Sequence, residues 1–328
     1  MKKWISYSLL LVLGLIIGIG VSQLFKSENK PDQEVAVIPK ELKDHLRYLE
    51  SSLDTVQHLK SNPIPGEWLF HNQEAQQFPH EFLYVYPNIL EKKRNKIYIQ
   101  PIGAFTVKQT EIITITAEYL KVFYSVDVAI MDAVSADEVP AENRRLSVDG
   151  TEQLQTTYIM DEILTPNIPD DARAYMGFTA YDLYPSDQYN FVFGQGRVGG
   201  KVGIYSIARF GFPDLDSTQF DLCLKRTLKV ASHELGHIFG ITHCVDYECV
   251  MNGSNHLDET DAKPVYLCPL DLLKVSQGLG IDEIYRYKNL AQFWQEKGYG
   301  KEADFYNLSA RLLEQNTNRR EGGQHNNQ

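Results

Sequence analysis

The run His233-Glu234-Leu235-Gly236-His237-Ile238-Phe239-Gly240-Ile241-Thr242-His243, with Met251 shortly after it, supplies every protein group that a hydrolytic zinc centre needs. On a helix His233 and His237 stand about one turn apart, so both imidazoles leave the same face and can reach one metal. Glu234 lies beside them, placed to take a proton from water rather than to ligate. Gly240 tolerates backbone conformations closed to residues with a Cβ, which lets the chain leave the helix and bring His243 round as a third ligand. Three nitrogen ligands and one open position is the pattern of catalytic zinc. Neutral imidazoles leave the charge of the ion uncancelled, whereas a set of thiolates would quench its Lewis acidity.

The longer pattern, with its glycine, third histidine and following methionine, is the metzincin signature. Cys244 follows His243 directly, Cys249 precedes Met251 by two positions, and Cys268 lies beyond. With these cysteines the chain resembles the archaemetzincins. The resemblance continues upstream through Lys96-Ile97-Tyr98-Ile99-Gln100-Pro101-Ile102-Gly103, through Gly177 to Pro185, through Asn190 to Gly194 and through Val202 to Phe210. It implies a metallopeptidase with a mixed α/β, metzincin-like zincin fold: a twisted, mostly parallel sheet with an antiparallel edge strand, an active-site helix and a helical C-terminal subdomain. It places Met251 in a Met-turn beneath the catalytic zinc, and Asn190, Phe191, Val192, Phe193 and Gly194 in the edge strand that pairs with substrate backbone.

In that family the motif runs into a second, four-cysteine zinc site ending in a CxxC pair. Here the pair reads Cys268-Pro269-Leu270-Asp271, so Asp271 stands where the fourth cysteine would be. Carboxylate oxygen can ligate zinc, so Cys244, Cys249, Cys268 and Asp271 remain a candidate set for a second, structural ion. The other reading is a disulfide between Cys244 and Cys249, with Asp271 as a helix cap. Cys223 reads as a small buried apolar residue and His256 as a surface histidine.

The elements that must position these residues follow from hydrophobic spacing. Leu224, Leu228 and Ala231 share a helical face ahead of the ligands, so 221–240 is the expected active-site helix. Upstream, strand-like 97–100, 126–131 and 174–180 alternate with helix-like 110–123 and 151–164, and strand-like 190–193 and 202–207 complete a mostly parallel sheet covered by helices. Segments 270–275, 281–294 and 301–313 read as helices.

The chain has 328 residues, 43% of them hydrophobic and 23% charged, enough to bury a full core in one sizeable domain. A formal charge of -11 argues against a nucleic-acid surface, which is ordinarily basic. Lys2 and Lys3 precede an uncharged run from Trp4 to Phe25, long enough to cross a bilayer. We read residues 4–25 as an uncleaved single-pass anchor holding the catalytic part outside the cytoplasm; the rival reading is a signal peptide whose removal leaves a secreted or periplasmic protein. The expected division is 1–25 anchor or signal segment, 26–62 tether and helix, 63–315 metallopeptidase domain and 316–328 disordered tail. The expected partner is a peptide or protein substrate. The competing class is a tethered zinc-binding or peptide-binding protein of weak activity, which would have no need of a base at Glu234.

Overall fold

The computed structural model describes residues 38–325, so the anchor read at 4–25 lies outside the described residues. The chain enters on α1 (Lys40–Leu53), passes two short helices, α2 (Trp68–His71) and α3 (Pro79–Val85), and then alternates through β1 (Lys96–Ile102), α4 (Val107–Tyr124) and β2 (Asp127–Ile130). A hairpin of β3 (Arg144–Leu146) and β4 (Glu152–Gln155) leads into the single turn α5 (Thr156–Tyr158), which widens into a π-helical stretch over Ile159–Leu164. Next come β5 (Ala172–Thr179), β6 (Asp182–Tyr184), β7 (Gly194–Gly196) and β8 (Val202–Ser206). The rest is helical: α6 (Ser217–Ile238), α7 (Leu257–Ala262), α8 (Pro269–Leu279), α9 (Glu283–Glu296) and α10 (Gly300–His325).

The main sheet has the order β2-β1-β5-β8-β7, parallel throughout except for β7, which runs antiparallel to β8 at one edge. This is the expected sheet. A parallel sheet survives only with both faces covered, and alternation along its strands divides the interior into two cores. Ile97, Ile99, Ala174, Met176 and Phe178 point toward α4 and α6, in a core that continues into α8, α9 and α10. Tyr175, Val202 and Ile204 point the other way, onto Leu154 and the π-helical stretch.

Local signals set the helix ends. Thr106 caps α4 in a reciprocal box with Gln109, and Asp216 caps α6 by accepting from the Gln219 N–H. At the other end of α6, Gly240 takes φ +99°, where a Cβ would also strike the ring of Tyr86.

Three expectations need correction. The helix expected over 151–164 begins as a strand, because Gln153 and Leu154 are buried where β4 pairs in parallel with β6; only the later half is helical. The boundary expected at 62/63 is not a break: the compact unit starts at Pro39, and α1 buries Leu49 and Leu53 completely in the same core. The tail expected from Asn316 instead continues α10 to His325, and the Asn316 amide donates to Ser52 Oγ on α1 at 2.9 Å.

Candidate metal centre

The C-terminal half of α6, Thr227 to Ile238, is wholly buried, and there the helix presents His233 and His237 to a cavity of about 600 Å³. His233 Nδ1 donates to the carbonyl of Val250 at 2.9 Å, and His237 Nδ1 donates to that of Ile241 at 2.8 Å. Each Nε2 is thereby left as the free lone pair, and the two lie 3.0 Å apart. Past the Gly240 turn, His243 completes the group, its ring centroid 5.2 Å from that of His233 and 4.9 Å from that of His237. One nitrogen from each imidazole falls within 4.8 Å of the others, close enough for a single ion. Burial holds His233 well below the usual imidazole range, and burial followed by the charge of His243 holds His237 down to about 3. Both are therefore neutral at pH 7, the protonation state a metal requires.

Glu234 lies on the same turn, 6% exposed. Burial pushes its carboxyl up to about 8, opposed by the charge of Lys263 and by a hydrogen bond from the Gly196 N–H. β7 passes immediately above. A Cβ on Gly194 would lie 2.7 Å from Glu234 Cγ, and one on Gly196 would lie 2.5 Å from the Glu234 carbonyl oxygen. Only glycine lets an edge strand come this close to the helix.

Met251 is fully buried, and its sulfur occupies the space a side chain at Gly236, between His233 and His237 on α6, would need. Its carbonyl accepts from the Cys244 N–H at 3.0 Å, tying this residue to the cysteine loop.

In that loop Cys244, Cys249, Cys268 and Asp271 are buried and offer ligand atoms within 4.8 Å of one another. Cys244 Sγ is 3.5 Å from Cys268 Sγ, and Cys249 Sγ is 3.2 Å from Asp271 Oδ2. Hydrogen bonds from the other two thiols pull Cys244 down, while burial pushes Cys249, Cys268 and Asp271 up. Asp271 is not the helix cap that its position suggested. Cys268 is the N-cap of α8, its sulfur accepting from the Asp271 N–H, and the Asp271 carboxylate turns inward to Lys274 Nζ at 2.8 Å.

The edge strand is displaced from its expected place. Asn190 to Phe193 form irregular chain, Phe191 to Phe193 lining the cavity and Val192 bridged to Leu183, and ladder pairing to β8 spans Gly194–Gly196. The family resemblance suggested the strand at Asn190–Gly194, but the close approach to Glu234 selects the two glycines of β7. His256 is exposed and caps α7, and Cys223 is buried, with burial pushing its thiol up to about 11.

Sequence reasoning missed three contributors. Glu74 accepts from His243 Nδ1 at 2.9 Å and from Trp68 Nε1 at 3.1 Å. Burial raises its carboxyl, but the bonds and charges of its partners bring it net below its ordinary value. Lys263 lines the cavity, and Lys274 holds Asp271. No periodicity marks Glu74 or Lys263; the three-residue spacing from Asp271 to Lys274 on one helix was a legible signal.

The profile of peptidase family M54 matches residues 167–276. Archaemetzincin-2 of Rattus norvegicus is 33% identical over 271 residues, covering 72% of this chain and 74% of that protein. Archaemetzincin-2 of Homo sapiens is 33% identical over 264 residues, covering 70% and 72%. The solved archaemetzincin structure from Methanopyrus kandleri is similar at 28% identity, with a TM-score of 0.46 over 56% of this chain and 96% of that one. Buried neutral imidazoles, an adjacent carboxylate and the sequence identity to the archaemetzincin-2 proteins lead to one assignment: the chain belongs to the archaemetzincin family, peptidase family M54, and is a zinc metallopeptidase.

Proposed function

We propose that the protein hydrolyses peptide bonds in the cleft between β7 and α6, with His233, His237 and His243 holding the catalytic zinc and Glu234 acting as general base and then general acid. The observation that carries this reading is the convergence of three imidazole nitrogens beside a buried carboxylate, in a cavity walled by a sheet edge. The donor set suits zinc: the Nδ1 bonds of His233 and His237 aim neutral Nε2 atoms into one space, and no thiolate reduces the ion's acidity there. When bound, zinc lowers the pKa of water and polarises the scissile carbonyl.

The chain's own residues do the rest. The unpaired side of β7 offers backbone groups to an extended peptide, as an added strand. Glu234 takes a proton from the attacking water and hands it to the departing amine. In the ionised state Glu234 is supported by the Gly196 N–H and by the charge of Lys263.

Cys244, Cys249, Cys268 and Asp271 form, in this proposal, a second and structural zinc site, with Lys274 offsetting part of the negative charge. Residues 4–25 anchor the chain and hold the unit outside the cytoplasm, a reading supported by their composition.

Stripping the metal with a chelator and restoring it with zinc tests the scheme. The expectation is loss and recovery of hydrolysis of a mixed peptide library, with two zinc ions per chain at full activity. Undiminished turnover in the stripped protein would overturn the catalytic reading, and a single ion at full activity would overturn the second site.

A further inference from the structure

Of the residues lining the catalytic cavity, Lys263 is the one lysine or arginine. It is 5% exposed, and its ammonium donates to the carbonyl of Asn252 at 3.1 Å. An ammonium has three N–H donors, so two remain for another acceptor. Among the described residues it makes no ion pair, although the charges of Glu234 and Glu259 act on it. A buried cation without a close anion costs several kcal/mol of desolvation, an arrangement that a binding site can use and a plain core has no reason to keep.

The surroundings agree. Two residues beyond Asn252, the buried Ser254 hydroxyl lines the same cavity and has no hydrogen-bond partner. Val230, one helical turn before His233 and Glu234, and Thr260 line it as well. Glu234, which must reach the departing amine, and Lys263 line the same cavity.

We propose that Lys263 and Ser254 form a carboxylate subsite, so that the enzyme selects peptides presenting an anionic group just beyond the cleaved bond. The anion is either an acidic side chain on the first leaving residue or the peptide's own terminal carboxylate. This deepens the peptidase reading and rests on it. The carboxylate takes the two open ammonium directions and the Ser254 hydroxyl, and its charge-assisted bonds set the selectivity.

The experiment compares matched peptides with zinc-loaded full-length protein: Asp against Asn and Glu against Gln at the first leaving position, each with a free or an amidated C-terminus. The wild type is expected to favour the anionic member by about 10- to 100-fold in kcat/KM, the scale of a charge-assisted hydrogen bond. Lys263→Met should erase that ratio and Lys263→Arg should restore part of it; the contrast between side-chain and terminal acids identifies the source of the carboxylate. Binding of the same pairs to Glu234→Gln and to Glu234→Gln/Lys263→Met reads the subsite without turnover. Hydrolysis with equal rates for acids and amides, or a preference that survives in Lys263→Met, overturns the subsite while leaving the peptidase intact. No hydrolysis of any peptide, with Lys263-dependent preference for acids in binding, overturns the peptidase reading and upholds the subsite.

Discussion

His243 is the one imidazole of the three that does not come from α6. Its second nitrogen is held by Glu74, 169 residues earlier in the chain, and its ring packs edge-on against Trp68. A carboxylate behind a ligating histidine fixes the tautomer and raises the basicity of the nitrogen facing the metal. Glu74→Ala is therefore expected to weaken zinc binding about 10- to 100-fold, measured by competition with a chromophoric chelator, while circular dichroism stays that of the wild type. Unchanged affinity would mean that Glu74 does not position His243. At this scale the sequence was readable where chemistry is tied to spacing: the structure brings His233, His237 and His243 within reach of one another, with Glu234 lining the same cavity. Glu74 and Lys263 were not readable, because each reaches the cavity through a tertiary path that leaves no local pattern. Asp271 was half readable: its approach to the cysteines followed from the CxxC-like position, but Lys274 and the cap at Cys268 emerged only with α8 in place.

Among the elements, β7 and α6 depend on each other most closely. The strand is short, Gly194–Gly196, and its glycines leave no gap between the sheet edge and the backbone of Glu234. Gly196→Ala puts a methyl 2.5 Å from a helix carbonyl, which the helix interior cannot move away from, so the strand must retreat. We expect kcat/KM to fall at least about tenfold through misplacement of the substrate strand, with a stability loss of about 1–3 kcal/mol in urea unfolding. Wild-type kinetics in this variant would show that the close approach is not needed. Element type was legible where periodicity was strong, as in α4, α6 and the buried strands. It failed at 151–164 and 190–194, where the pairing of β4 with β6 and the contact of β7 with α6 overrode the local pattern.

For the whole molecule, the two candidate metal sites share a single scaffold. Met251 packs against Gly236 of the ligand helix, and its carbonyl accepts from the N–H of Cys244 in the cysteine loop. Asn252, the next residue, ties that loop together through the carbonyls of Cys244 and Tyr247 and accepts from Lys263. The cysteine loop thus braces the wall of the catalytic cavity. α1 packs on α10 and reaches the cysteine loop, where Glu50 accepts from the Tyr247 hydroxyl at 3.2 Å, which is why the unit begins at Pro39 rather than at residue 63. The helical spacing of Leu42, Leu46, Leu49 and Leu53 suits a helix packing on the domain or the tether, but spacing alone does not set where the compact unit begins.

The most direct test of the central claim is the rate of peptide hydrolysis by Glu234→Gln with its zinc content measured alongside. Glutamine keeps the size and the neighbours of the side chain but cannot take a proton from water. We predict the same zinc content as the wild type and a kcat lower by about 10²- to 10⁴-fold. Turnover equal to that of the wild type at equal zinc content would contradict the assignment of Glu234 as the base and, with it, the mechanism built on this cleft.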